Sequence, residues 1–360
     1  MLKVFEAFSG IGAQHMALRN LNEDYEIVAT SDIDENAILA YYYVHENNAT
    51  KIINCNEKEM LKYLNLKGIG TPEKNEKLGK KKLSEIYNAT IISKNLGDIR
   101  KIKTQDIPDH DIFTYSFPCQ DISSVGTGKG LDKDSGTRSS LLWVCKKIIE
   151  AKQPKYLLLD NVKNLTTGKH KGNFDKWLGY LKEQGYDNYC KIFDAQYYGI
   201  PQRRPRIIVV SKLGKSNTDL VKDNVIHEKQ IGDIIDRNAE QWTIFKPKAK
   251  VRGTINEGEC LFLDDRDWKM NGVMISNVCS TQRAGRTGLK FIKKEDGILY
   301  ERKLNALECC RLMGYDDRDY QNMRDGHLSD GSIMKICGNS IVVNVLENVF
   351  TNIFEEEANG

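Results

Sequence analysis

A chain of 360 residues, 40% hydrophobic and 29% charged, is long enough to bury one large core or two modest ones, and its composition is not that of a disordered chain. No apolar run approaches the roughly 20 residues needed to cross a bilayer, and the N-terminus opens into a strand-like segment without a signal-peptide pattern, so no membrane and a cytoplasmic location are expected. A net charge of +3 permits a nucleic-acid partner without arguing for one, and nine irregularly spaced cysteines give neither a zinc site nor a disulfide framework.

Residues 2–210 alternate short β-favouring runs with helical patterns. Strands are expected at 2–7, 27–31, 112–115, 156–159 and 207–210. Strands separated by helices predict a parallel sheet covered on both faces. A Lys- and Asn-rich stretch, 54–94, reads as a solvated insertion with some helix. From about Gly214 the alternation stops, and residues 214–300 are polar and Gly-punctuated, with short strands such as 272–276. A second, smaller domain is expected there. A helical pattern returns after Arg302, and 340–354 is a further apolar-periodic helix leading to an acidic tail.

Phe8-Ser9-Gly10-Ile11-Gly12 joins the first strand to a helix, so backbone amides and a helix N-terminus face the carboxyl edge of the sheet. His15 stands where a dinucleotide fingerprint needs a third small residue, which disfavours a pyrophosphate cofactor. About 20 residues on, Asp32 ends the second strand, where an acid accepts hydrogen bonds from ribose hydroxyls. Gly97-Asp98-Ile99 offers a carboxylate to an exocyclic amine. Each alone is compatible with an ordinary tight turn; their order and spacing together point to an adenosine without phosphates.

Ser116-Phe117-Pro118-Cys119-Gln120-Asp121 follows the 112–115 strand and precedes a Gly/Ser/Thr/Lys-rich loop, which puts a thiol within reach of a substrate. A free cysteine taken alone is equally a small buried hydrophobe. Asp160-Asn161-Val162 ends the next strand, and Gln202-Arg203-Arg204-Pro205-Arg206 heads another; in a parallel sheet these ends share the carboxyl edge with Cys119 or lie next to it. Arginines favour a thiolate, and a partly buried carboxyl can keep or share a proton, so the set reads as a nucleophile with an acid. A helix N-cap for Asp160 and a surface ion-pair cluster for the arginines are the structural alternatives.

These motifs, in this order and closed by Gly338-Asn339-Ser340, resemble the DNA (cytosine-5)-methyltransferase family over nearly the whole chain. Tyr115-Ser116-Phe117-Pro118-Cys119-Gln120-Asp121 and Ser135-Gly136-Thr137-Arg138-Ser139 most resemble its single-chain bacterial and mollicute members, of the restriction-modification type. The resemblance implies an α/β fold: a doubly wound, mostly parallel sheet of the SAM-dependent methyltransferase (Rossmann-like) type with a second, smaller target-recognition domain. Residues 1–213 would be the catalytic and cofactor-binding domain, 214–300 the recognition domain, and 301–360 a segment returning to the catalytic domain.

The implied reaction moves a methyl group from S-adenosyl-L-methionine to C5 of a flipped-out cytosine in a specific duplex DNA sequence, leaving S-adenosyl-L-homocysteine, with no metal. The implied catalytic residues are Cys119, which adds to C6; Asp160, in place of the family's acid; Arg206, which holds the base; and Arg204, which supports the site. Cofactor contacts are implied for Phe8, Ser9, Gly10, Ile11, Gly12, Asp32, Ile33, Asp98, Ile99, Pro118, Asn339 and Ser340. Nucleic-acid contacts are implied for Gln120, Ser123, Gly126, Arg138, Asn161, Gln202, Thr281 and Arg283, with the loop 123–138 suited to closing over the base. The implied partner is double-stranded DNA, met by a monomer in a bacterial cytoplasm at the nucleoid. A cognate restriction endonuclease would be a genetic rather than a physical partner, and an orphan methylase would have none.

Two positions depart from the family pattern. The family's acid is normally glutamate, and Asp160 is shorter by one methylene, about 1.5 Å of reach. The aromatic residue that often follows the ribose-binding acid is Ile33, so adenine would meet an apolar contact instead of a stacking ring. Relatives that methylate tRNA, a DNA-binding module without activity and a small-molecule methyltransferase are the alternatives; labelled methyl transfer to DNA, RNA and free cytidine separates them.

Overall fold

A computed structural model describes residues 1–46, 55–117, 141–224, 230–247, 249–265, 269, 272–284 and 288–359. They form two compact units: Met1–Phe193 with Pro205–Asn224 and Leu346–Gly360, and Asp194–Arg204 with Val225–Val345.

The first unit is built on a six-stranded sheet. In chain order its elements are β1 (Leu2–Ala7), α1 (Ala13–Leu21), β2 (Tyr25–Ser31), α2 (Glu35–His45), α3 (Glu57–Lys67), α4 (Pro72–Asn75), α5 (Lys80–Ile92), β3 (Ile112–Tyr115), α6 (Leu141–Lys152), β4 (Tyr156–Val162), α7 (Lys171–Glu183) and β5 (Tyr186–Asp194). After β6 (Gln202–Arg203), which belongs to the second unit, β7 (Pro205–Leu213) completes the sheet. Strand order is β2-β1-β3-β4-β7-β5, with β1 parallel to β2 and β3, and β3 parallel to β4.

Alternation along the strands loads both faces, as a doubly wound sheet requires. Phe5, Ala7, Phe113, Leu157 and Leu159 pack with Leu142 and Ile149 of α6 and Trp177 of α7. On the other face Glu6 meets Tyr41 of α2, and the Tyr156 hydroxyl donates to Glu357 of the C-terminal helix.

Three features differ from the sequence reading or add to it. β7 runs antiparallel to β4, not parallel to it, and pairs Val162 with Arg206, so Arg206 meets the carboxyl end of β4 from the start of a reversed strand. The insertion, expected to be solvated with some helix, holds three helices over its described residues 55–94, with Asn56 and Thr71 capping α3 and α4 through their side chains. The strand β5 was not expected.

The second unit carries an antiparallel sheet of β8 (Thr243–Ile244), β9 (Val251–Arg252), β10 (Cys260–Asp264), β11 (Val273–Ser276), β13 (Leu289–Glu295) and β14 (Ile298–Lys303), ordered β8-β14-β13-β10-β11-β9 with only β11 and β9 parallel. Its small core is Phe245, Leu263, Val273, Ile275 and Ile292. β12 (Cys279–Ser280) pairs with β6. Helices α8 (Ala306–Arg311), α9 (Asp317–Asp325) and α10 (Asp330–Asn339) follow, and α11 (Val343–Asn359) ends the chain. Capping boxes start α8 (Asn305 with Glu308) and α9 (Asp316 with Asp319).

Candidate active site

The turn after β1 is built from unusual backbone. Phe8, Gly10 and Gly12 have φ of 57°, 56° and 79°, in the left-handed region. Phe8 is the costly one, since only glycine enters that region freely, and such outliers collect at ligand sites. At Gly12 space also demands glycine, because a Cβ would lie 2.5 Å from His45 Nε2 and 2.6 Å from the Tyr41 ring. Phe8 and Gly10 are half-buried, while Ser9, Ile11 and Gly12 are buried.

Asp32 leaves β2 beside this turn. Its Oδ2 accepts the Gly10 N–H at 2.8 Å, and Oδ1 accepts the N–H groups of Ile33 and Asp34 at 2.7 and 2.9 Å. Burial pushes its carboxyl up, and these three amides oppose the shift. A carboxylate offers about four acceptor positions, so one stays available for a hydroxyl. Ile33 next to it is 46% exposed, an apolar side chain standing in solvent. Asp98 is buried, and its oxygens accept from Arg100 Nε at 2.9 Å and Nη2 at 2.6 Å. Burial pushes the Asp98 carboxyl up, but the Arg100 hydrogen bonds outweigh it and hold it below the usual carboxylate range. Ile99 is buried beside it.

The ends of β3, β4 and β7 form the second group. Asp160 is fully buried, and the guanidinium of Arg206 grips it with two donors, Nε to Oδ1 at 2.9 Å and Nη2 to Oδ2. This fork is the geometry in which arginine fixes a carboxylate most firmly. The adjacent Asn161 is also buried: its Nδ2 donates to the Phe117 carbonyl at 3.2 Å, and its Oδ1 accepts the Val162 N–H at 2.8 Å. Asn161 thus ties β4 to the residue before Pro118. Pro118, Cys119, Gln120, Ser123, Gly126 and Arg138 lie outside the described residues.

In the second unit Arg204 is the hub. Its Nη1 donates to the Gln282 carbonyl at 2.8 Å, and its Nη2 to the carbonyls of Gly338 and Ser340 at 3.2 and 2.6 Å. Gln202 is buried, giving Nε2 to the Leu312 carbonyl and receiving the Gln282 N–H at Oε1, both at 2.8 Å. Thr281 donates to the Arg203 carbonyl at 2.8 Å, and Arg283 is half-buried. Asn339 ends α10 exposed, and the Ser340 hydroxyl is 3.0 Å from that of Tyr315. Gln202, Thr281 and Arg204 are thus committed to bonds within the chain, alongside Gly338-Asn339-Ser340.

The sequence reading did not single out Glu6. Fully buried, it accepts the Tyr41 hydroxyl at 2.7 Å and the His15 N–H at 2.8 Å. Tyr41 also lies 2.9 Å from His15 Nδ1, His15 stacks on His45, and His45 Nε2 donates to the Ile11 carbonyl at 3.0 Å. This network underlies the glycine turn. Burial pushes the Glu6 carboxyl up to about 7, against the two hydrogen bonds. Burial, with Arg19 nearby, pushes His15 down to about 3. A lone acid inside the apolar run Leu2–Ala7 was the signal in the sequence.

Comparison with known proteins identifies the family. The family model described as C-5 cytosine-specific DNA methylase matches residues 63–355. The type II methyltransferase M2.ScrFI of Lactococcus lactis subsp. cremoris is 40% identical, covering 99% of this chain and 100% of the relative. The orphan methyltransferase M.SssI of Spiroplasma monobiae is 31% identical, covering 98% and 97%. Among solved structures, the S. pombe Dnmt2 methyltransferase superposes over 100% of both chains with a TM-score of 0.65 at 17% identity, a likeness of fold. With these matches spanning the turn, the carboxylates and the paired strand ends alike, the chain belongs to the C-5 cytosine-specific DNA methylase family.

Proposed function

We propose that this DNA (cytosine-5)-methyltransferase works through Cys119, Asp160 and Arg206. C5 of cytosine is too weak a nucleophile to take a methyl group unaided. The Cys119 thiolate adds to C6, which turns C5 into an enamine carbon. When bound, S-adenosylmethionine would supply an electrophilic methyl group to C5 and leave as S-adenosylhomocysteine. Loss of the C5 proton re-forms the double bond and expels the thiolate from C6. Asp160 contacts N3 and the exocyclic amine, steadying charge that develops on the ring, and Arg206 holds Asp160 and the base. The observation that carries this assignment is the buried fork between Arg206 and Asp160, on a strand tied by Asn161 to the residue before Pro118-Cys119.

For the cofactor, the residues fit adenosine: Asp32 keeps acceptor capacity for a ribose hydroxyl, Ile33 offers an exposed apolar contact to adenine, and Asp98 presents a carboxylate for the amine. By the family resemblance Asn339 and Ser340 are also assigned to the cofactor and Arg283 to DNA, whose sequence the second unit reads. No metal takes part. The chain acts as a monomer in a bacterial cytoplasm, either beside a cognate restriction endonuclease or as an orphan. The test is incubation with duplex DNA whose target cytosine carries fluorine at C5. With no proton to lose there, the wild type should remain covalently attached after methyl transfer. Cys119→Ser should form no adduct; an adduct in that variant would assign the nucleophile elsewhere.

A further inference from the structure

Helices α3 to α5 stand in the chain between Asp32 and Asp98, and their turns fold back on both. At the end of α3 the Lys67 carbonyl accepts the Asp98 N–H at 2.8 Å. Just beyond it, the Gly70 N–H donates to the Ile33 carbonyl at 3.2 Å. One short connection therefore holds the backbone at Asp98 and the residue next to Asp32. The fit leaves no slack: a Cβ on Gly97 would come 2.3 Å from the Lys67 carbonyl oxygen, and one on Gly70 2.3 Å from the Glu35 carboxylate. Both glycines also have positive φ, 83° and 65°.

Side chains lock the same connection. Lys74 of α4 pairs with Glu35 at 2.8 Å, and Glu35 sits buried in the first turn of α2. The Asn75 amide donates to the Ile69 carbonyl and to Asn65 Oδ1, both at 2.8 Å. From the other end, α5 lays the following residues along β2, where the Thr30 N–H donates to the Lys94 carbonyl at 3.1 Å and the Leu96 N–H to the Thr30 carbonyl at 2.8 Å. Asn95 Oδ1 then accepts from the N–H of Asp32 at 3.2 Å and of Gly97 at 2.7 Å.

We propose that the α3–α5 insertion is a cofactor brace. It fixes the spacing of Asp32 and Asp98 before adenosine binds, with Gly70, Lys74 and Glu35 as positioning residues. Pre-setting two ligand-binding groups removes an ordering cost that binding would otherwise bear. The inference rests on the reading of Asp32 and Asp98 as adenosine contacts. It is tested by calorimetric titration of the full chain, as wild type, Gly70→Ala and Lys74→Met, with S-adenosylhomocysteine and with adenosine. Lys74 is 59% exposed at its side chain, so its replacement opens no cavity in the core and removes only the ion pair with Glu35.

Both variants should raise the Kd for the two ligands by the same factor, about tenfold, the equivalent of one lost contact. The KM for DNA and kcat at saturating cofactor should stay within about twofold, and Lys74→Arg, which keeps the ion pair, should bind as the wild type does. Wild-type affinity in Gly70→Ala and Lys74→Met, or a loss confined to the KM for DNA, overturns the brace alone. Failure of the wild type to bind either ligand overturns the adenosine reading and the brace with it.

Discussion

Asp160 and Arg206 are a buried pair, 0% and 15% exposed at their side chains, and the desolvation of both charges is offset only while both are present. Arg206→Met should therefore cost about 3–5 kcal/mol in denaturant unfolding, because a carboxylate is left buried without its partner. A loss under about 1 kcal/mol would show that water reaches the site, as in an exposed pair. Asp160→Glu restores the reach that aspartate lacks and should retain or raise the single-turnover methylation rate; a large fall would mean that the pocket is built around the shorter acid. Glu6 makes a pH prediction. Its pKa is raised from 4.5 to about 7, so the stability it contributes is fully present below pH 4.5 and is lost as pH rises through 7. Relative to Glu6→Gln, the wild type should lose up to about 1.4 kcal/mol per pH unit across that window. The difference between the two curves isolates Glu6 from His15, whose depressed pKa acts the opposite way, removing stability as pH falls from 6.5 toward 3.

Elements were legible where their pattern was local. Leu2–Ala7 and Ile112–Tyr115 are the strands that their β-branched and aromatic runs predict. The β5 segment YDNYCKIFD mixes charge into its alternation and keeps much of its length half-exposed, so it carried no clear buried run. The direction of β7 could not be read without β5: only with β5 ending at Asp194 is the stretch 195–204 shorter than the dozen or more residues that a parallel crossover needs. In the candidate site, the glycine turn, Asp32 and Asp98 could be located by spacing. The contacts of Glu6 with Tyr41 and of Arg204 with Gln282, Gly338 and Ser340 could not, since they join residues far apart in the chain. Gly338 belongs to this class. Glycine to alanine inside a helix ordinarily stabilises by about 0.5–1 kcal/mol. Here a Cβ would lie 2.3 Å from the Ala284 N and 2.5 Å from the Arg283 carbonyl carbon, so Gly338→Ala should instead lower the thermal midpoint. A raised midpoint would show that the 283–284 backbone yields.

For the whole molecule, composition gave size and class but not the partition of the chain. Residues through Val345 group with the second unit and 346–360 with the first. Bonds from Gln202 to Leu312 and from Arg204 to Ser340 draw 194–204 and the helices after β14 into one unit. Among the described residues no single helix is long and apolar enough to cross a membrane. A net charge of +3 is small for a DNA-binding chain, so duplex binding should depend on local arrangement more than on overall attraction. Bisulfite sequencing of DNA from cells expressing the wild type or Cys119→Ser decides whether this chain methylates cytosine in DNA through Cys119. The wild type should protect cytosine at one recurring short sequence and the variant at none; unprotected DNA from wild-type cells, or equal protection by the variant, would contradict it.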